Sequence, residues 1–177
     1  LEEGYGLNPL AIDTLKKQGV ELIVTVDCGI TANHEATLCR ELGIDLVITD
    51  HHECKSELPQ AIALVDPHRK DQPQPVTEMA GVGVAFKLAA AIEGEQETLL
   101  DQYCDFLCLG TVADVMPLTG ENRTMVARGL KALENPRRVG IAALMAECSV
   151  QKGPVTAGTI GYTLAPRINA AGRMGEV

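Results

Sequence analysis

This 177-residue sequence has few features of a membrane or secreted protein. Its apolar runs are far shorter than the roughly 20 residues that a membrane-spanning helix needs. The chain opens Leu-Glu-Glu, without the basic and apolar segments of a secretory signal peptide. Its six cysteines form no C-x-x-C pair, so we expect free thiols rather than disulfides or a zinc site. These absences predict a cytoplasmic location.

Basic charge is scarce, and the formal net charge of −9 argues against a protein whose whole surface binds nucleic acid. The charge is uneven, because residues 1–122 hold 21 acidic and 7 basic side chains and residues 123–177 hold 3 and 8. An acidic front and a basic tail suit a metal site that acts on a phosphate substrate. Two solvated faces without a function would give the same pattern.

The first half of the sequence alternates helix and strand. Asn8-Pro9 is typical of a helix start, and Gly19 of its end. Apolar β-branched runs at residues 21–26, 45–49 and 62–65 predict buried strands, with a helix over about residues 31–42 between the first two. This alternation predicts an α/β fold with a parallel sheet and flanking helices.

The second half is rich in Ala, Leu and Gly with helical periodicity. Residues 81–94, 97–110, 122–135 and 139–148 each predict a helix, and prolines and glycines separate these segments. We place a domain boundary near residue 120. It divides an α/β core over residues 1–120 from an all-helical connector over residues 121–177.

Residues that can bind metal follow the first two predicted strands. Asp27 directly follows the first, and Asp50, His51 and His52 follow the second. Ligands of open parallel sheets bind beyond the carboxyl ends of the strands. Asp114 lies in the apolar segment GTVADVMPL, where a carboxylate is costly to bury unless it is paired or metal-bound. We therefore expect Asp27, His51, His52 and Asp114 to converge at one edge of the sheet.

Three interpretations of these residues are open. Each carboxylate taken singly could cap a turn, with the histidines as ordinary loop residues. Oxygen and imidazole groups without thiolates fit Mn²⁺, Mg²⁺ or a similar cation. Adjacent histidines of an extended segment point apart, so one would bind metal and the other face a substrate. A nucleophilic triad is the third, although neither Ser56 nor Ser149 lies in a nucleophile elbow.

Several motifs occur in a fixed order along the chain: EEGYGLNP, VDCGIT, VITDHHE, AGVGVAFKLA, GTVADVMPL and APRINAAGRM. Together they resemble the DHH phosphoesterase family, and within it the bacterial exonucleases that degrade single-stranded DNA from the 5′ end. The resemblance covers nearly the whole chain. It implies metal-dependent phosphodiester hydrolysis in DNA repair and recombination. The implied substrate is single-stranded DNA, and a single-strand-binding protein or another repair protein is the implied partner.

The resemblance also implies roles for individual residues. Asp27 resembles the carboxylate that bridges two divalent ions, Mn²⁺ or Mg²⁺, and His51 and Asp114 resemble further metal ligands. His52 resembles the catalytic histidine that contacts the scissile phosphate and can protonate the leaving oxygen. Asp50 is expected to assist catalysis by orienting an imidazole.

The segment APRINAAGR near the end of the chain is a candidate phosphate-binding site. Small residues let a strand approach, and arginine offers a bidentate fork for phosphate. With the resemblance, we expect Arg173 to contact a backbone phosphate, with Arg167 and Asn169 beside it. Ordinary helix packing, with both arginines extending to water, is the alternative.

Two parts of the family pattern do not occur in this sequence: an acidic D-x-D motif on an earlier strand and a downstream Gly-rich substrate-binding motif. The first supplies carboxylates to both ions, so we expect the chain to be an internal part of a longer protein and inactive alone. Two other functions stay open. One is a DHH phosphoesterase for short oligonucleotides or nucleotide bisphosphates. The other is a degenerate binding module, against which the retained metal-ligand residues argue.

Overall fold

The computed structural model describes residues 6–71, 78–150 and 153–171. The chain folds into two compact units, Leu1–Leu88 and Ala89–Val177. The division falls inside helix α3 (Gly81–Glu93) rather than near residue 120, where the sequence predicts a domain boundary. A boundary between a catalytic core and a connector therefore stays a prediction.

The first unit contains a three-stranded parallel sheet with helices packed against it, which confirms the predicted α/β class. Its strands β1 (Leu22–Val26), β2 (Asp45–Thr49) and β3 (Ala63–Val65) are neighbours in that order. Asn8 caps the first helix, because its side chain accepts a hydrogen bond of 2.8 Å from the Ala11 N–H, and Pro9 occupies the first helical position. In chain order the elements are α1 (Pro9–Lys17), β1 (Leu22–Val26), α2 (Asn33–Glu41), β2 (Asp45–Thr49) and β3 (Ala63–Val65).

An apolar core holds these helices against one face of the sheet. Burying each of its large aliphatic side chains contributes about 1.5–3 kcal/mol. The core residues are Ile12 from α1, Ala36 and Cys39 from α2, Ile44 before β2, and Ile23, Leu46 and Ile48 from the strands. The alternate side chains of β1 are about half exposed: Leu22, Val24 and Val26. In the part of the chain that the structure describes, β1 is therefore covered on one face.

The second unit is helical, as its sequence predicts. Gly129 lets α5 (Gly120–Leu133) lie close against α4 (Gln96–Ala113), because a Cβ there would come within 2.2 Å of the Cys104 carbonyl oxygen. Among the described residues, no helix is both long and apolar enough to cross a membrane. The elements are α4 (Gln96–Ala113), α5 (Gly120–Leu133), α6 (Val139–Glu147), α7 (Ala157–Thr159), a π-helical turn (Ile160–Leu164) and α8 (Ala165–Ala171).

Candidate metal site

Each strand of the sheet is followed directly by an aspartate. Asp27 follows β1, Asp50 follows β2 and Asp66 follows β3. The Asp27 N–H donates to the Thr49 carbonyl and the Asp50 N–H to the Val65 carbonyl, both at 3.0 Å. The hydrogen-bonded register therefore continues to the last residue of each strand. Because parallel strands end at the same edge, this register brings three carboxylates to one end of the sheet.

Asp27 has a backbone conformation that few side chains adopt. Its φ is +65°, in the left-handed region, where aspartate is tolerated better than bulky or β-branched residues. The turn leaves its side chain half exposed at the strand end. Gly81, the first residue of α3, lies against it so closely that a Cβ there would come 2.4 Å from Asp27 Oδ1. The glycine at the start of AGVGVAF thus makes room for this carboxylate.

Asp27, His51 and His52 form the candidate metal site. Each offers one ligand atom, and these atoms all lie within 4.8 Å of one another. His51 Nε2 is 3.0 Å from Asp27 Oδ1, and the His51 side chain is 11% exposed. The rings of His51 and His52 are tilted by 52°, with centroids 4.6 Å apart. Carboxylate oxygen and imidazole nitrogen are a donor set that fits Mn²⁺. The geometry also admits His52 as a ligand, whereas the sequence assigns it to the substrate.

Asp50 fixes the orientation of His52. Its side chain is buried; Oδ2 accepts from the Ile30 N–H at 2.9 Å, and Oδ1 accepts from the His51 N–H at 2.8 Å. Oδ1 also lies 2.6 Å from His52 Nδ1. Burial by itself raises the pKa of Asp50, but the hydrogen bonds from Ile30, His52 and His51 outweigh it and hold the pKa below its ordinary value. Asp50 is therefore an ionised acceptor that can hold an imidazole.

The other predicted site residues lie in the second unit. Asp114 follows α4 directly, and its N–H donates to the Gly110 carbonyl at 3.0 Å. Its convergence with Asp27 stays a prediction. Arg167 and Asn169 are exposed on α8, and Arg167 Nη1 donates to the Thr163 carbonyl at 2.7 Å. Arg173 lies outside the described residues, so its contact with phosphate also stays a prediction.

Sequence reasoning missed Asp66 and His68 as members of this edge. Asp66 is buried, and its Oδ1 accepts from the His68 N–H at 2.7 Å. Burial raises the pKa of Asp66, and the negative charge of Asp50 raises it further, against the opposing effect of the His68 N–H. The signal was present in the sequence, since Asp66-Pro67 directly follows the third apolar run.

Comparison with known proteins assigns the chain to a family. Residues 3–111 match the DHH family, N-terminal domain. The chain belongs to the DHH family. This DHH-family chain is 46% identical over 173 residues to the single-stranded-DNA-specific exonuclease RecJ of Bacillus subtilis (strain 168), an alignment that covers 98% of the chain and 22% of that protein. The resemblance deduced from the motifs is confirmed at the level of the family.

Solved structures show the same fold. A crystal structure of exonuclease RecJ bound to manganese superposes with a TM-score of 0.83 at 35% identity, covering 99% of this chain and 44% of that one. RecJ of Thermus thermophilus in complex with Mn²⁺ gives a TM-score of 0.80 at 34% identity, covering 94% of this chain and 25% of that one. The DHH-family chain thus spans less than half the length of each of these proteins.

Proposed function

We propose that the complete protein to which this chain belongs is a metal-dependent exonuclease that degrades single-stranded DNA from the 5′ end, in DNA repair and recombination. The observation that carries the proposal is the grouping of Asp27, His51 and His52 at the carboxyl edge of a parallel sheet, with their ligand atoms within 4.8 Å. The RecJ relatives support the substrate class, because they are named single-stranded-DNA-specific exonucleases. They also support a metal cofactor, because two RecJ crystal structures contain manganese.

The metal ligands in this proposal are Asp27, His51 and, from the second unit, Asp114. Asp27 suits a bridging position because its carboxylate is half exposed at the strand end, beside His51 Nε2. Two bound divalent ions would supply an activated water and stabilise charge on the attacking and leaving oxygens. Within the first unit, the residues present fit such a group: a carboxylate and a nearly buried imidazole face one another across 3.0 Å.

His52 is the proposed catalytic histidine. Its side chain is 53% exposed, so a substrate can reach the ring, while Asp50 Oδ1 holds Nδ1 at 2.6 Å. A carboxylate on Nδ1 fixes the tautomer and the ring plane. When both of its ring nitrogens carry protons, His52 can contact the scissile phosphate through its Nε2–H and give that proton to the leaving oxygen. Asp50 is the positioning residue for this step.

The proposed contacts to the DNA backbone are Arg173, Arg167 and Asn169, which are near one another in the sequence. Arg167 and Asn169 are exposed on α8, and guanidinium and amide groups both donate to phosphate oxygens. We further propose that the protein acts in the cytoplasm and meets a single-strand-binding protein or another repair protein on its substrate.

A digestion assay on the complete protein tests the proposal. We expect mononucleotides to be released from the 5′ end of labelled single-stranded DNA in Mn²⁺, with little release from duplex DNA. Asp27→Ala should reduce the rate by roughly 1,000-fold or more. The reason is that losing a metal ligand removes several kcal/mol of transition-state stabilisation, and about 4 kcal/mol corresponds to that factor. Asp45→Ala is the matched control, because Asp45 is exposed at the opposite end of β2 and should leave the rate unchanged.

The substrate range of the same protein decides between functions. Preference for dinucleotides or nucleotide bisphosphates over long single strands would replace the proposal with the phosphoesterase alternative. Full activity of Asp27→Ala would remove the candidate metal site from the reaction.

A further inference from the structure

The ends of β2 and β3 carry related local arrangements, which differ in the distance between the carboxylate and the histidine ring. After β2, Asp50 Oδ1 accepts from the N–H of His52, two residues on, at 3.3 Å and faces the ring nitrogen Nδ1 of His52. After β3, Asp66 Oδ1 accepts from the N–H of His68, again two residues on, at 2.7 Å and lies 3.6 Å from Nδ1 of that histidine. The Asp-x-His pattern is thus repeated on neighbouring strands, and both copies lie in the first unit.

The strand register places the two copies side by side. Thr49 is paired with Val65, and the Asp50 N–H donates to the Val65 carbonyl at 3.0 Å. Asp50 and Asp66 are the next residues of their strands, and their charges interact, since that of Asp50 raises the pKa of Asp66. His68 therefore leaves the sheet at the same edge as His52.

The two ring nitrogens of His68 have different surroundings. Nδ1 is buried on the side of Asp66, and Nε2 faces the carboxylate of Glu53 at 4.0 Å. The His68 side chain is 22% exposed, and Glu53 beside it is 90% exposed. A contact at 4.0 Å to a side chain that water surrounds is weak, so an anionic ligand can displace it. Nε2 therefore lies where a substrate can reach it.

A turn cap accounts for only part of this arrangement. Capping needs the backbone N–H of His68 and the Asp66 carboxylate, and it places no requirement on the side chain at position 68. An imidazole whose inner nitrogen faces a buried carboxylate has a preferred orientation, and when both ring nitrogens carry protons its outer N–H is a donor that points away from that carboxylate. Such a donor, one strand away from His52, is suited to the phosphate next to the one that is cleaved.

We propose that His68 contacts a backbone phosphate of the bound DNA strand through Nε2, with Asp66 as its positioning residue. The inference rests on the proposed function, because it assumes that a single strand lies along this edge. It assigns His68 to substrate binding rather than to the chemical step, since the candidate metal ligands of the first unit follow β1 and β2.

Two amide substitutions in the complete protein distinguish the ligand role from a structural one. The amide of Gln reaches the position of Nε2, whereas that of Asn reaches only that of Nδ1. We expect His68→Asn to raise KM for single-stranded DNA roughly tenfold with kcat unchanged, as one lost hydrogen bond to a charged group predicts, and His68→Gln to restore most of the loss. A structural role predicts the reverse order, with Asn tolerated and Gln not.

A scan of the substrate locates the contact. Oligonucleotides that each carry one uncharged methylphosphonate should show a position at which the wild-type KM rises and the His68→Asn KM does not. Melting temperatures of the variants within a few degrees of wild type show that the fold is retained.

The two possible failures have different signatures. An unchanged KM in His68→Asn, or the same methylphosphonate profile in both proteins, overturns the inference while the wild-type enzyme still degrades DNA. A wild-type protein that does not degrade single-stranded DNA at all overturns the proposed function and this inference with it.

Discussion

A buried aspartate with a basic partner occurs in both units, but the basic side chains of the two pairs differ in exposure and in the number of contacts they make. Asp50 holds His52 by Nδ1 at 2.6 Å, and the histidine remains 53% exposed at the sheet edge. Asp105 in α4 accepts from Arg138 Nε at 2.8 Å. The same guanidinium donates from Nη2 to the Gln102 carbonyl at 2.7 Å and lies 4.2 Å from the Phe106 ring centroid.

The two pairs differ in whether the basic side chain can still bind a further group. Arg138 uses Nε, Nη2 and one ring-stacked face inside its own unit, so the pair stabilises packing. Asp50 instead holds one nitrogen of an imidazole and keeps the ring oriented in a place that a substrate can reach. In the first pair the base, His52, stays accessible to a substrate, which suits a role in function. In the second pair the base, Arg138, bonds to groups of its own unit, which suits a role in stability.

The largest effect is expected from adding a side chain next to Asp27, at the carboxyl edge of the sheet. Gly81→Ala should lower Mn²⁺ affinity of the complete protein by about 100-fold or more, because a Cβ would lie 2.4 Å from Asp27 Oδ1 and the carboxylate would have to move. Titration calorimetry measures the affinity. Gly83→Ala is the control, since a Cβ there meets Met79 Cβ at 3.1 Å, away from the metal site. Equal effects of the two variants would show that the close approach at Asp27 does not matter.

Neutralising the positioning carboxylate is the next test. Asp50→Asn should lower turnover about 10–100-fold, because the amide no longer holds His52 as an ionised acceptor does. It should also lower the free energy of unfolding by about 2 kcal/mol at neutral pH, through weaker hydrogen bonds from Ile30 and His51. Steady-state kinetics and urea unfolding measure the two effects.

The pH dependence of that stability difference has a definite sign. The pKa of Asp50 is lowered in the folded chain, so its contribution is present above the unfolded carboxyl pKa and is lost as the pH falls through the folded value. The stability difference between wild type and Asp50→Asn should therefore shrink on acidification. Urea unfolding at a series of acidic pH values tests this, and a gap that widens would contradict the assignment.

Removing the enclosed pair of the second unit should affect stability and spare function. Arg138→Gln is expected to lower the free energy of unfolding by roughly 1–3 kcal/mol, because the nearly buried Asp105 loses its charged partner. Mn²⁺ affinity should stay close to that of wild type. Arg137→Gln is the control, as Arg137 is exposed. A large loss of Mn²⁺ binding in Arg138→Gln would break the contrast between the two pairs.

The smallest expected effect concerns the arginine on α8. Arg167→Ala should weaken binding of single-stranded DNA a few-fold and reduce the salt dependence of binding by about one phosphate contact. Binding measured at several salt concentrations gives that slope. Glu147→Ala, which removes an exposed charge of the opposite sign from α6, should leave the slope unchanged. An unaltered slope in Arg167→Ala would assign Arg167 to its contact with the Thr163 carbonyl alone.

The sequence alone predicts much of the first unit. Short apolar runs locate β1 and β2, and Asn8-Pro9 locates the start of α1, because these signals are local. The same runs place Asp27 and Asp50 at strand ends, and parallel pairing carries them to one edge. That is enough to predict the grouping of Asp27 with His51.

Only the tertiary structure shows which other residues lie beside Asp27 and Asp50 at the carboxyl edge of the sheet. The closeness of Gly81 to Asp27 joins residues far apart in the chain and depends on where α3 begins. The place of Asp66 and His68 beside Asp50 depends on the pairing of β3 with β2, which the short run before Asp66 does not reveal. Local propensity and periodicity determine the elements and the residues at their ends. Which of those ends become neighbours is decided by long-range pairing and packing, which no window of sequence contains.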